Sequence, residues 1–323
     1  MEILSRRNLY KWPSWHLVWE WEDIISEKTG WELYTDNFIS YHKIQRIFPC
    51  LRDFLRPSFP TFLFEMGVDR CTNDRRYNND NFFPYVIDYF LRDDDLSIFE
   101  KNFSKHHLIF ISSKEVYDRL KILNTQLPII HLPLSLPDYY RLEPNDEKIK
   151  YYDVALVGRV NPVLLQYLIE YAQKHPGFIY VQEDPRKRRK FHYYTSNGEY
   201  AGYYRSRKQY MDLISKSRVA LYSTPGIDGG EIRTNGYNPV TPKFLEYLAS
   251  GCNIIGRWKD NLDTDYYQLD SFSNNIQTYN QFEEAMDKAL AIKPDLQKYA
   301  DYLDKHYTST RVDFLKKNIE NFL

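Results

Sequence analysis

Short apolar runs alternate with amphipathic stretches along this chain, break once, and start again. Residues 61–65, 85–88, 108–112 and 129–133 read as strands. Helical segments lie between them, such as 113–123, where Val116, Leu120 and Leu123 mark one face. A polar stretch over 137–150, with two prolines and no apolar period, interrupts the rhythm and reads as an interdomain linker. Strand 153–157, helix 161–174 and strand 178–182 then follow, with a polar excursion to about residue 207. Helix 209–216, strand 218–222, a loop over 223–240, helix 242–250 and strand 253–257 complete the second series. Alternation of this kind belongs to parallel sheets. The expectation is α/β: two Rossmann-like parallel-sheet domains facing across a cleft, over 1–145 and 152–308. A closing helix over 309–323 packs back towards the first domain, with Thr310 as its cap and Val312, Leu315, Ile319 and Leu323 on one face.

Composition narrows the function classes. A chain of 323 residues exceeds one ordinary core, and 43% hydrophobic with 27% charged residues is the balance of a folded protein. Forty-three basic against forty-four acidic residues leave no electrostatic footprint for nucleic acid. Three widely spaced cysteines without a C-x-x-C read as reduced thiols and exclude a structural zinc site; no metal is expected. No apolar run approaches the roughly 18–20 residues needed to cross a bilayer, and the opening residues do not read as a leader. The expected location is cytoplasmic, with the inner face of the membrane as the alternative. Twelve glycines are too few for several glycine-rich phosphate loops.

The stretch 238–256, NPVTPKFLEYLASGCNIIG, carries the most chemistry. A long loop ends at Thr241-Pro242, where Thr suits a helix cap and Pro the first helical position. Amides of a first turn and the positive end of the dipole suit a phosphate. Lys243 in that turn adds a charge that opposes the dipole unless an anion is present. Glu246, one turn on, is placed to accept from a ribose diol, or else is an ordinary surface acid. Gly251 ends the helix.

This segment resembles the C-terminal domain of GT-B glycosyltransferases of the group 1, GT4-like set, which carry P-x-K-x-x-E-x-(L/M)-A-x-G before a strand. The matching residues run from Pro242 to Gly251. A second fragment, Asp153 to Gly158-Arg159, is similar to the strand-plus-Gly-Arg that opens that domain. The first domain is similar more loosely, at Phe110 to Ser113 and Ile130 to Leu134. The likeness spans nearly the whole chain and is specific over 153–159 and 238–256. It implies a metal-independent transferase with no cofactor, using a nucleotide-diphosphate sugar of UDP or GDP type as co-substrate. Glu246 then binds the ribose, Thr241 to Lys243 the diphosphate, and Arg159 reaches the same group beside Gly158. Tyr237 and Asn238 complete the donor side.

The pattern also departs from the family. The first acid of the usual E-x7-E pair is replaced by Asn238, no lysine follows the Gly-Arg strand closely, and no glycine lies between Leu9 and Trp21. For an inverting reaction the general base would come from Glu65, Asp69, Asp88 or His16, and Asp88 is preferred because it ends a strand. Five of six tryptophans fall within the first 31 residues, as core, as a sugar-stacking platform or as a membrane foot. The run 186–190, RKRRK, is the one dense basic patch, read as solvated or as contacting an anionic membrane or polyanionic acceptor. The expected activity is sugar transfer to a hydroxyl of a glycan, lipid-linked or protein acceptor, as in bacterial surface glycan synthesis. A sugar-nucleotide epimerase, or a silent module that binds nucleotide-sugar or a partner enzyme, are the rivals.

Overall fold

The computed structural model of the protein describes residues 1–8, 15–35, 59–66, 80–145, 148–186 and 190–322. It divides into two compact units, 1–133 with 308–323, and 134–307. Asp69, Trp12, Cys50, Cys71 and residues 187–189 of the basic run lie outside the described residues.

The first unit runs β1 (Glu2–Ser5), α1 (His16–Thr29), β2 (Glu32–Thr35), β3 (Thr61–Glu65), β4 (Phe82–Val86), α2 (Leu96–Phe103), β5 (Ile109–Ile111), α3 (Lys114–Ile122) and β6 (Ile129–His131). All six strands are parallel, in the order β2-β1-β3-β4-β5-β6. Strands covered on both faces need apolar residues without alternation, and Thr61 to Phe64 are buried in succession. Phe62, Phe64, Tyr85 and Phe110 pack ring against ring. Trp21 stacks on Phe64 and Trp31 lies against Phe62, so these two tryptophans are core residues. Gly30, at a φ of 74°, closes α1 with its amide on the Ser26 carbonyl, a left-handed position that suits glycine.

The second unit runs β7 (Tyr152–Leu156), α4 (Pro162–Lys174), β8 (Tyr180–Glu183), β9 (His192–Thr195), β10 (Tyr200–Tyr203), α5 (Arg207–Ser215), β11 (Ser217–Ser223), α6 (Lys243–Ala249), β12 (Asn253–Arg257), α7 (Leu262–Tyr266), α8 (Tyr279–Ala291) and α9 (Leu296–Leu303). Its sheet has the order β10-β9-β8-β7-β11-β12, parallel from β8 to β12 and antiparallel through β9 and β10. The excursion that reads as polar loop in the sequence is thus a hairpin that extends the sheet. Leu142, inside the stretch that reads as a linker, is buried in the core of this unit.

The closing helix α10 (Ser309–Glu320) belongs to the first unit and packs on α1. It begins after Thr308, so Thr310 is an interior residue rather than the cap; Val312, Leu315 and Ile319 form its buried face. No described helix is long and apolar enough to cross a membrane.

Candidate donor site

The second sheet changes direction beside β7, which has β8 on one side and β11 on the other. Ligands of open α/β sheets bind outside the carboxyl ends of the strands at such a switch point. Gly158 and Arg159 lie there, just past the end of β7. Gly158 has a φ of 62°, and a Cβ on it would come 3.3 Å from Lys243 Nζ. The left-handed backbone favours glycine there, and any side chain would press on the Lys243 amine.

Lys243 opens α6 and reaches back across this turn. Its Nζ donates to the carbonyls of Val157 and Arg159, each at 2.7 Å. Burial, with the Arg159 charge adding to it, pushes the ammonium down to about 7. Arg159 itself holds Glu231 at 2.5 Å, and Glu231 also accepts from Arg233 Nε at 2.9 Å. Two cations thus meet at the switch point, one short of its usual proton affinity and one balanced by a loop carboxylate.

The start of α6 differs by one residue from the sequence expectation. Pro242 is the cap, without a side-chain hydrogen bond, and Lys243 is the first helical residue. Thr241 does not cap because it is bound to Tyr222. Its amide donates to the Tyr222 hydroxyl at 3.1 Å and its side chain bonds the same group. From Phe244 to Ala249 every residue of α6 is buried, which makes it a core helix.

Glu246 faces α5. Its carboxylate accepts from Arg207 at 2.7 Å and from the Tyr210 hydroxyl at 2.9 Å, and it is almost wholly buried. It is therefore no solvated surface acid, and both of its oxygens are engaged. Asn238 is buried in the loop: its Oδ1 accepts from Thr224, its Nδ2 donates to the Gly236 carbonyl, and its own carbonyl accepts from Asn261. Tyr237 is half-buried beside it, its amide on the Thr234 carbonyl.

Two residues missed in the sequence organise the same loop. Asp228, at a φ of 54°, accepts from Asn161 at 2.8 Å and makes a two-pronged pair with Arg257 at 2.6 and 2.8 Å. That pair keeps its carboxyl below the ordinary range. Asn161 caps α4, so the loop is tied to the ends of β7 and β12 at once. Glu231 is the second. Neither stands in a recognisable pattern; the only signal was the glycines around them.

In the first unit, β4 stops at Val86, two residues short of Asp88. Asp88 is half-buried at a φ of 47°, a conformation costly for a residue with a Cβ. Glu65 is gripped by both guanidinium nitrogens of Arg6, at 2.6 and 3.1 Å. His16 stacks on Trp19. Arg159, Lys243 and Gly158 are therefore brought together within the second unit, Glu246 is bonded to α5 while its charge still acts on Lys243, and Asp88 belongs to the other unit. Among the described residues no group of three or more His, Cys, Asp or Glu gathers to hold a metal.

No protein-family model matches the sequence, and no curated protein was found that is similar to it. Solved structures do match. The pneumococcal O-GlcNAc transferase GtfA, in complex with UDP and GlcNAc, is similar at 12% identity over 84% of this chain and 59% of that one, with a TM-score of 0.51. The fold is that of the GT-B glycosyltransferases. The GtfA/B complex is similar at 12% identity over 84% and 59%, with a TM-score of 0.49. The glycotransferase of kitacinnamycin is similar at 13% over 98% and 97%, with a TM-score of 0.45. The chain spans 59% of the length of the first two.

Proposed function

We propose that this chain is a glycosyltransferase that takes a nucleotide-diphosphate sugar at the switch point of its second unit and passes the sugar to a hydroxyl acceptor. The observation that carries the proposal is the Lys243 amine folded over the Gly158–Arg159 turn, beside the Arg159 guanidinium. An acceptor hydroxyl attacks the anomeric carbon, and the diphosphate leaves as its charge grows. Arg159 supplies fixed positive charge to that leaving group, and Lys243 adds its own when protonated. In this scheme Arg159 exchanges Glu231 for phosphate oxygen, and Glu246 meets the ribose by giving up the Tyr210 hydroxyl. Asp88 serves as the base of an inverting reaction. The acceptor is a glycan, a lipid-linked sugar or a protein, and peripheral membrane contact belongs to the lipid-linked case.

One observation favours a second reading, a silent module that binds nucleotide-sugar without transfer: Asn238, tied to Thr224 and Gly236, stands where the family carries the first acid of its pair. Incubation of UDP- and GDP-sugars with an acceptor panel separates the two. Release of nucleoside diphosphate that is lost in Lys243→Met supports transfer. Donor binding without release in any combination overturns it in favour of the module.

A further inference from the structure

The hairpin of β9 and β10 carries a strip of rings that the donor site does not use. His192 and Tyr194 point to one face of the sheet, while Tyr193 between them is buried on the other face against Tyr204. Tyr200 and Tyr203 are three residues apart and would ordinarily point to opposite faces. A bulge between Tyr200 and Gly202 corrects this. Tyr200 lies opposite Tyr194, and Tyr203 lies opposite His192. Gly202 sits in the bulge at a φ of 141°, a backbone that residues with a Cβ rarely adopt, and a Cβ there would also meet the Tyr204 ring at 2.8 Å.

The four rings are continuous. Tyr194 meets Tyr200 at 5.3 Å, Tyr200 meets His192 at 5.7 Å, and His192 meets Tyr203 at 5.0 Å. The Tyr200 hydroxyl bonds His192 Nδ1 at 2.9 Å, which fixes both rings. Tyr200 and Tyr203 remain 55% and 43% exposed. Helices α4 and α8 cover this face over the rest of the sheet, but their apolar cluster takes nothing from β9 or β10 among the described residues.

We infer that this strip is a carbohydrate-binding surface that holds a chain of sugar rings. Flat aromatic faces stack on the apolar C–H faces of pyranose rings, while phenol and imidazole groups bond the hydroxyls around them. The other occupants fit less well. Strand addition needs a regular edge, and β10 is a short edge strand broken by its bulge. A membrane wants aliphatic or indole wedges, and the strip has none; exposed Glu199 precedes Tyr200 in the turn, while exposed Arg186 and Lys190 lie ahead of β9, so binding to anionic vesicles is the measurement that decides against a membrane. The surface stands on this geometry alone. Its assignment to the acceptor glycan rests on the transferase reading.

Affinity electrophoresis of the full chain through gels containing soluble starch, dextran, polygalacturonate or glycol chitin tests the inference. Retardation by at least one polysaccharide is expected, reduced about tenfold or more in apparent affinity by Tyr200→Ala with Tyr203→Ala and largely retained in Tyr203→Trp. Tyr151→Ala, an exposed tyrosine outside the hairpin, serves as the folded control. No retardation in any gel overturns the inference, as does equal retardation of wild type and the double variant. Hairpin-dependent binding to anionic phosphatidylglycerol vesicles in place of the polysaccharides overturns it in favour of a membrane. UDP and GDP binding measured on the same samples keeps the claims apart: retardation without nucleotide binding leaves the surface and removes the transferase reading.

Discussion

Lys243 is poised between two charge states, and that makes it testable. The ammonium titrates at about 7 in the fold against an ordinary value of 10.5. Between those values the unfolded chain binds the extra proton, so this group's cost to stability is complete below pH 7 and is relieved as pH rises towards 10.5. Donor binding runs the other way. A diphosphate favours the charged amine, so above pH 7 binding must take up a proton. The affinity for UDP-glucose, which has no phosphate titrating there, is expected to fall about tenfold per pH unit above 7, and Lys243→Met should flatten that slope. A flat wild-type profile by calorimetry would remove Lys243 from the site. Glu231 supplies a complementary test at the same turn. It occupies the Arg159 guanidinium in a half-exposed pair, so Glu231→Gln should tighten UDP binding about two- to fivefold; weaker binding would make Glu231 a supporting residue instead.

At the scale of elements, Asp228 is the carboxylate that ties the loop between β11 and α6 to two other elements. Asp228 joins it to Arg257 at the end of β12 and to the cap of α4. Asp228→Ala is expected to lower stability by about 2–3 kcal/mol in denaturant titration, since it removes the charged partner of a mostly buried guanidinium and leaves it with Ile276 and Gln277. A loss within 0.5 kcal/mol would show that other contacts secure the loop. Local pattern made much of this region legible. Helix α6 and strand β12 follow from the apolar run and from Gly251. The cap lies one residue further on because the amide and hydroxyl of Thr241 are both spent on Tyr222, nineteen residues away in sequence. Glu231 and Asp228 were invisible for the same reason, with partners 72 and 29 residues distant. The β9–β10 hairpin was legible in principle. Asn197-Gly198 between runs of Tyr and Thr is a hairpin signal, and Gly198 takes a φ of 92°. Its polar tyrosines masked it.

At the scale of the whole molecule, both sheets place charged residues at their switch points, Arg6 with Glu65 beside β1 and Arg159 with Lys243 beside β7. The βα rhythm of the sequence revealed the two sheets because it depends on periodicity alone. The roles of the charged residues depend on partners brought together by folding. The proposed diphosphate ligands, Arg159 and Lys243, both lie in the second unit, which separates stability from binding. Trp21→Ala should cost the first unit about 3–5 kcal/mol by emptying a core position against Phe64, yet leave UDP affinity unchanged below its unfolding transition. Loss of UDP binding by the folded variant would place part of the nucleotide site in the first unit.

The central claim is that a nucleoside diphosphate sits on Arg159 and Lys243. Calorimetric titration of UDP and GDP into wild type, Arg159→Ala and Lys243→Met tests it most directly. One diphosphate should bind the wild type, and each variant should weaken it about tenfold or more, the loss of a charge-assisted contact. Binding of neither diphosphate to folded wild type, or equal binding by all three proteins, would contradict the claim.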